Sequence, residues 1–317
     1  MRWQGRRQSA NVQDARGSGG GGRFELPDGI GFPRSGGGIR LPTGGSRAGG
    51  GGLGCGTLIV IGVVLWFLGI NPLTILQGGN IGPSSFPEQM PQIQRQAPSG
   101  GARTTSDDQK TQFVRTILAS TEDVWTTIFD SYGRQYPKPT LRLFSGGEQS
   151  ACGMASAATG PFYCPSDQKV YIDLAFYRQL EREFGAPGDF AQAYVLAHEV
   201  GHHVQHLIGV LPQFNKMRQS MGKLEVNQMS VNVELQADCF AGVWGHYVAK
   251  EGWLEQGDLD EALNAAHQIG DDTIQKRTQG YVVPDAFNHG TSADRAKWFR
   301  RGFDSGRIES CDTFSGR

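Results

Sequence analysis

Residues Val195–Gly209 read VLAHEVGHHVQHLIG, with four histidines in nine positions. Inside it, His198-Glu199-Val200-Gly201-His202 has the spacing His-Glu-x-x-His. Asp189 upstream, Gly209 downstream and Pro212 beyond are start and stop signals, so the stretch is predicted to lie on a helix over Asp189–Gly209. On a helix, positions i and i+4 share a face, so His198 and His202 can present both imidazoles to one ion. Glu199 then stands beside that ion without ligating it, where it can take a proton from a bound water. A zinc hydrolase needs three protein ligands and one open position. The metal lowers the pKa of the water and polarises the carbonyl under attack. The bland alternative is a buried structural histidine pair, and a third ligand decides between the two.

One class of zinc hydrolases places a third histidine ten residues after the first, where this chain has Ile208. The other arrangement draws a glutamate from a following helix. Glu234 meets that need, 32 residues beyond His202 in NVELQADCFAGVW. Asp238, at i+4 from Glu234, is placed to receive the far N–H of a ligand imidazole. Glu225 competes, but it falls in a Gly/Ser/Asn-rich connection and has no partner acid. The surplus histidines fail on geometry. His203 is turned about 100° from His202, and His206 lies roughly 12 Å along the axis from His198. Packing is the expected role for both, as for His246 and His267. His289 differs: in FNHGTSADRAKWF it precedes a helix, where it can donate to an oxyanion opposite the metal. Arg295 would orient it or add a second donor, and a solvated loop histidine is the alternative.

Charge and glycine divide the rest of the chain. Nineteen of the 46 glycines lie in residues 1–56, so that stretch cannot bury a core and is expected to be disordered. Residues 1–52 carry eight Arg against three acids, net +5, and 101–317 carry 21 basic against 27 acidic groups, net −6. Without interleaved aromatics the basic tail is not expected to bind nucleic acid. Leu53–Leu76, LGCGTLIVIGVVLWFLGINPLTIL, is uncharged, and a membrane-crossing helix needs about 20 such residues. It is too far from the terminus and lacks the cleavage site of a signal peptide. A single uncleaved transmembrane helix is therefore expected, with the arginine-rich tail cytoplasmic and residue 77 onward periplasmic or extracellular. Residues 77–108 read as a linker.

Residues 109–317 are expected to fold. Phe113, Val114, Ile117, Leu118, Val124, Trp125, Ile128 and Phe129 mark a helix over Gln109–Ser131. Leu141–Phe144 predicts a strand. Pro161–Asp173 predicts a hairpin with Val170 and Ile172 on one face and Lys169, Tyr171 and Asp173 on the other. Further helices are expected over Ser230–Lys250, over Asp258–Gln268 opened by an Asp258-x-x-Glu261 capping box, and over Ser292–Arg301. The class is α+β, helix-dominated, with a small sheet.

HEVGHHVQ, ELQADCFAGVW, GPFYCPSDQKVYID, HGTSADR and the terminal CDTF together resemble the bacterial putative neutral zinc metallopeptidase family. The opening MRWQGRRQSANVQDARG resembles that family's leader, although Ala10 and Gln13 stand where acids are expected. The likeness covers essentially the whole chain outside the glycine-rich variation. It implies a membrane-anchored, zincin-like domain with one catalytic Zn²⁺ held by His198, His202 and Glu234, and Glu199 as base. The HGTSADR loop is similar to a His-to-Arg element of integral-membrane zinc endopeptidases.

Four cysteines follow the apolar run, and an oxidising compartment permits two disulfides among three connectivities. Cys152–Cys164 and Cys239–Cys311 are favoured over the other pairings and over four buried thiols. An exposed edge at Lys169–Asp173 would accept an extended peptide as an added strand, and a purely structural hairpin is the alternative. The leading expectation is a zinc endopeptidase in the cytoplasmic membrane that acts on peptides or unfolded proteins. A non-catalytic zinc-stabilised envelope binding protein and a zinc hydrolase of another amide or ester are the alternatives.

Overall fold

The structure, a computed structural model, describes residues 1–16, 105–156 and 160–315. The apolar run Leu53–Leu76 lies outside the described residues. Among the described residues no helix is long and apolar enough to cross a membrane.

Residues 1–16 and 105–315 belong to one compact unit. Its strands are β1 (Val12–Asp14), β2 (Thr140–Phe144), β3 (Gly147–Ser150), β4 (Gly153–Ser156), β5 (Phe162–Cys164) and β6 (Lys169–Asp173). Its helices are α1 (Thr105–Ser131), α2 (Ala175–Arg182), α3 (Asp189–Leu207), α4 (Val210–Met217), α5 (Lys223–Lys250), α6 (Asp258–Gln268), α7 (Asp271–Gln279) and α8 (Ser292–Ser305). The helix-dominated α+β class agrees with the sequence reading.

The main sheet runs β1-β2-β6-β5, with β1, β2 and β6 parallel and β5 antiparallel to β6. The expected hairpin is present, but its second strand is not an edge. β6 lies between β2 and β5, so the free edge beside the cleft belongs to β5. Nor is β6 half-exposed: Tyr171 and Asp173 are buried along with Val170 and Ile172. The separate β3–β4 ribbon explains this, because Ala155 packs with Phe144, Cys164 and Tyr171 on the outer face of the sheet. Cys152, between β3 and β4, is disulfide-bonded to Cys164 on β5.

The core forms where α1, α3, α5 and α8 meet. Trp125 of α1 meets Phe240 of α5 edge-on at 5.6 Å, and Phe190 of α3 stacks on Trp244 of α5 at 5.6 Å. α5 and α8 touch through glycine. A Cβ on Gly302 would lie 1.9 Å from the Cys239 carbonyl oxygen, and one on Gly242 2.0 Å from that of Phe299. The Cys239–Cys311 disulfide ties the C-terminal turn to the same helix.

One helix start and one helix cap depart from expectation. α5 begins at Lys223 rather than Ser230, so Glu225 is helical and accepts the Gly222 N–H at 2.9 Å. Asp258 and Glu261 make no capping box. Asp258 accepts from the Glu255 amide, while Glu261 reaches across to the Phe190 amide at the start of α3. That reach needs Gly188, whose φ of 112° suits glycine and whose missing Cβ would sit 2.1 Å from the Glu261 carboxyl.

Nor does disorder hold for the first 16 residues of the expected tail 1–52. β1 continues the sheet, and Trp3 packs edge-on against Phe113. The Met1 ammonium sits 2.8 Å from Asp189 at the head of α3. Arginine and glycine content outweighed a short, weakly apolar strand in the sequence reading.

Candidate metal centre

α3 and α5 cross at Gly201. A Cβ there would meet the Ala237 carbonyl oxygen at 2.9 Å, so glycine sets the spacing between the helices. The crossing puts Glu234 opposite His198 and His202. His198 Nε2 is 3.2 Å from Glu234 Oε2, and His202 Nε2 is 3.4 Å from Oε1. One ligand atom from each of the three lies within 4.8 Å of the others. Glu225, the competitor, is exposed on the first turn of α5 and has no part in this cluster.

Both far ring nitrogens are engaged. His198 Nδ1 donates to Asp238 Oδ1 at 2.7 Å, and His202 Nδ1 donates to Gln205 Oε1 at 2.9 Å. This fixes each Nε2 lone pair inward, the tautomer that metal ligation requires. Asp238 is fully buried and also accepts from Tyr194 Oη at 2.6 Å, Arg295 Nε at 2.9 Å and Arg295 Nη2 at 3.0 Å. Gln205 in turn donates to the Val233 carbonyl and to Gln236. The donor set, two imidazoles and a carboxylate, fits a catalytic zinc ion with an open position.

The field around these atoms is negative. Burial opposes a charge on His198, but Asp238 and Glu234 outweigh it and push its pKa up to about 10. His202 is raised in the same sense, against burial, by Glu234. Burial opposes ionisation of Glu234 too, but the two histidines hold it well below the usual carboxylate range. Such a field favours a dication at the position that protons would otherwise neutralise.

Glu199 is buried one residue from His198. Burial raises its pKa, against the two histidines. A carboxylate moved toward neutrality is suited to taking a proton at physiological pH. His289 stands half-exposed in the wall of the same cleft. Its Nδ1 is 3.1 Å from Asp271 Oδ1, while Asp271 Oδ2 accepts the amides of Asn288, His289 and Gly290. Arg295 is therefore not the orienter of His289. It holds Asp238, and Asp271 orients His289. Burial opposes a charge on His289, but Asp271 and Glu234 raise its pKa.

The remaining histidines sit apart from the cluster. His203 bonds Tyr163 Oη at 3.0 Å and the Pro137 carbonyl at 2.6 Å, and burial lowers its pKa to about 4. His206 leans on Tyr163, and His246 Nδ1 meets the Phe303 carbonyl at 2.7 Å. His267 is exposed on α6. Sequence reasoning missed Gln205, Tyr194 and Asp271. The first two were within reach, since Gln205 lies at i+3 from His202 and Tyr194 at i−4 from His198. Asp271 carried no local signal, because its partner lies 18 residues away.

The cleft holds about 500 Å³ and runs along the open side of the cluster. Phe162 and Tyr163 of β5, Phe176 of α2, Phe184 after it, and Leu211 and Phe214 of α4 give it an apolar wall.

The chain matches the family described as "Putative neutral zinc metallopeptidase" over residues 1–314. It is similar to "Uncharacterized protein YpfJ" of Escherichia coli (strain K12), 46% identical over 314 residues, covering 99% of each chain. It is also similar to "Uncharacterized protein Rv2575" of Mycobacterium tuberculosis (strain ATCC 25618 / H37Rv), 43% identical over 207 residues, which span 62% of this chain and 68% of that one. No solved structure matches. With the family's pattern running from residue 1 to residue 314 and a relative matched end to end, the chain belongs to the putative neutral zinc metallopeptidase family.

Proposed function

We propose that this protein is a zinc endopeptidase that cuts extended, apolar segments of peptides or unfolded proteins. The observation that carries the reading is the convergence of His198 Nε2, His202 Nε2 and Glu234 beside a buried Glu199, at the floor of an open cleft. A merely structural zinc site has no use for that base. Zinc, when bound, would lower the pKa of a water and polarise the scissile carbonyl.

The protein's own groups supply the rest. Glu199 accepts a proton and returns it to the leaving amine. His289 donates Nε2–H toward the oxyanion. Because Nδ1–H is given to Asp271, Nε2 carries a proton only in the imidazolium, which Asp271 favours. The free edge of β5 lies along the cleft, so an extended backbone could pair with Phe162–Cys164 as an added strand. The phenylalanines around it suit bulky apolar side chains. The run Leu53–Leu76 supports attachment to a bilayer, and the two disulfides support an oxidising compartment.

The test is to incubate the zinc-loaded full-length protein with an unstructured protein and read the new termini by mass spectrometry. The reading requires internal cuts flanked by bulky apolar residues, lost on chelation and restored by zinc. No cuts across a broad set of substrates would end it.

A further inference from the structure

By the apolar run and the arginine bias alone, residues 1–52 would lie on one side of a membrane and the folded domain on the other. The packing of residues 1–16 is at odds with that. β1 is hydrogen-bonded into the domain's sheet: the Leu141 amide donates to the Asn11 carbonyl at 2.8 Å, and the Ala15 amide to the Leu143 carbonyl at 2.8 Å. Val12, Gln13 and Asp14 pair in register with Leu141, Arg142 and Leu143.

The side chains are more demanding than the strand. Glu122 of α1 is 1% exposed, and its carboxylate is met by Ser9 Oγ at 2.5 Å, Asn11 Nδ2 at 2.7 Å and Arg7 Nη2 at 3.1 Å. All three partners come from the first 16 residues. A buried carboxylate stripped of its partners is strongly unfavourable, so the domain needs this segment to be satisfied. Two aromatic contacts add to it: Trp3 against Phe113, and the Arg6 guanidinium 4.0 Å from the Trp253 ring centroid. Contacts of this length cannot reach across a hydrocarbon layer of about 30 Å.

We infer that residues 1–16 are a structural part of the catalytic domain and lie on the same side of the membrane as it does. The connection between Arg16 and Thr105, whatever its course, then leaves and returns on one side. The 24 residues of Leu53–Leu76 suffice for one crossing and not for two, since each needs about 20. Specific hydrogen bonds outweigh the arginine bias, a statistical preference, and do so whether or not the protein cleaves peptides.

Labelling with a membrane-impermeant maleimide in intact cells tests it on the full chain. In a Cys55→Ser background, single cysteines are placed at two exposed positions, Gln13→Cys on β1 and Lys250→Cys at the end of α5. Matching behaviour at both positions, either labelling in intact cells or labelling only after permeabilisation, is the expected result. Labelling at one position with protection at the other overturns the inference. Hydrogen exchange on purified wild-type protein is a second measurement that needs no variant. The Ala15 amide should be protected like those of Thr140–Phe144, and exchange at the rate of an unfolded chain would overturn the inference equally.

Discussion

Gly201, the fourth residue of the His-Glu-x-x-His stretch, packs directly on the backbone of Ala237, with 2.9 Å between its missing Cβ and the Ala237 carbonyl oxygen. Glu234 and Asp238 flank Ala237 on α5, so the contact sets the distance between both histidines and their acids. Gly201→Ala should therefore cost about 1–3 kcal/mol by overpacking, lowering Tm by roughly 2–12 °C for a domain of this size. Zinc affinity should fall with it. Calorimetry and zinc competition read both, and wild-type values in each would contradict this role.

Asp238 joins His198, Tyr194 and Arg295 through one buried carboxylate. Asp238→Asn should weaken zinc binding about 10- to 100-fold. It also strands the buried Arg295 cation, at about 3–5 kcal/mol of stability. A zinc titration beside a denaturant curve checks the two losses separately.

His289 Nδ1 is paired with Asp271 Oδ1 at 3.1 Å, and in the proposed mechanism the imidazolium of that pair is the donor. Its pKa lies above the ordinary histidine value, so the donor is present below that pKa and activity falls as pH rises through it. Asp271→Asn removes the largest raising contribution, and the alkaline limb of kcat should move to lower pH. His289→Ala should lower kcat about 100-fold with little change in KM. An alkaline limb that stays put in Asp271→Asn would break the link between the two residues.

The two disulfides close loops of 12 and 72 residues. Chain entropy predicts about 3 and about 4 kcal/mol of stabilisation. The Cys239→Ser/Cys311→Ser double variant should accordingly be the less stable of the two double variants in urea. The reverse order would mean that strain or residual structure outweighs loop length.

What could be read beforehand tracks how local the signal is. His198, Glu199 and His202 share one helix turn, and Asp238 follows from Glu234 by the same periodicity, so these were legible from spacing, whereas Glu234 itself followed from the need for a third ligand on a later helix. The strongly apolar helices were legible for the same reason. Asp271, by contrast, acts across 18 residues on a loop, and Arg295 faces Asp238 rather than His289, which spacing cannot decide. α2, α4 and α7 are only eight or nine residues long, too short for a periodic pattern to stand out. β1 was hidden because its three residues are stabilised by pairing with Leu141–Leu143 and by no apolar run of their own. Lys169–Asp173 alternates like an edge strand, but the β3–β4 ribbon covers the face that alternation assigned to solvent.

The most direct measurement compares wild type with Glu199→Gln at equal zinc content on the same unstructured substrate. Glu199 is not a ligand, and the far nitrogens of the ligand imidazoles are held by Asp238 and Gln205, so the substitution should leave one zinc per chain bound. Removal of a general base should lower kcat at least 100-fold. Cleavage by Glu199→Gln at the wild-type rate, with zinc still bound, would contradict the account.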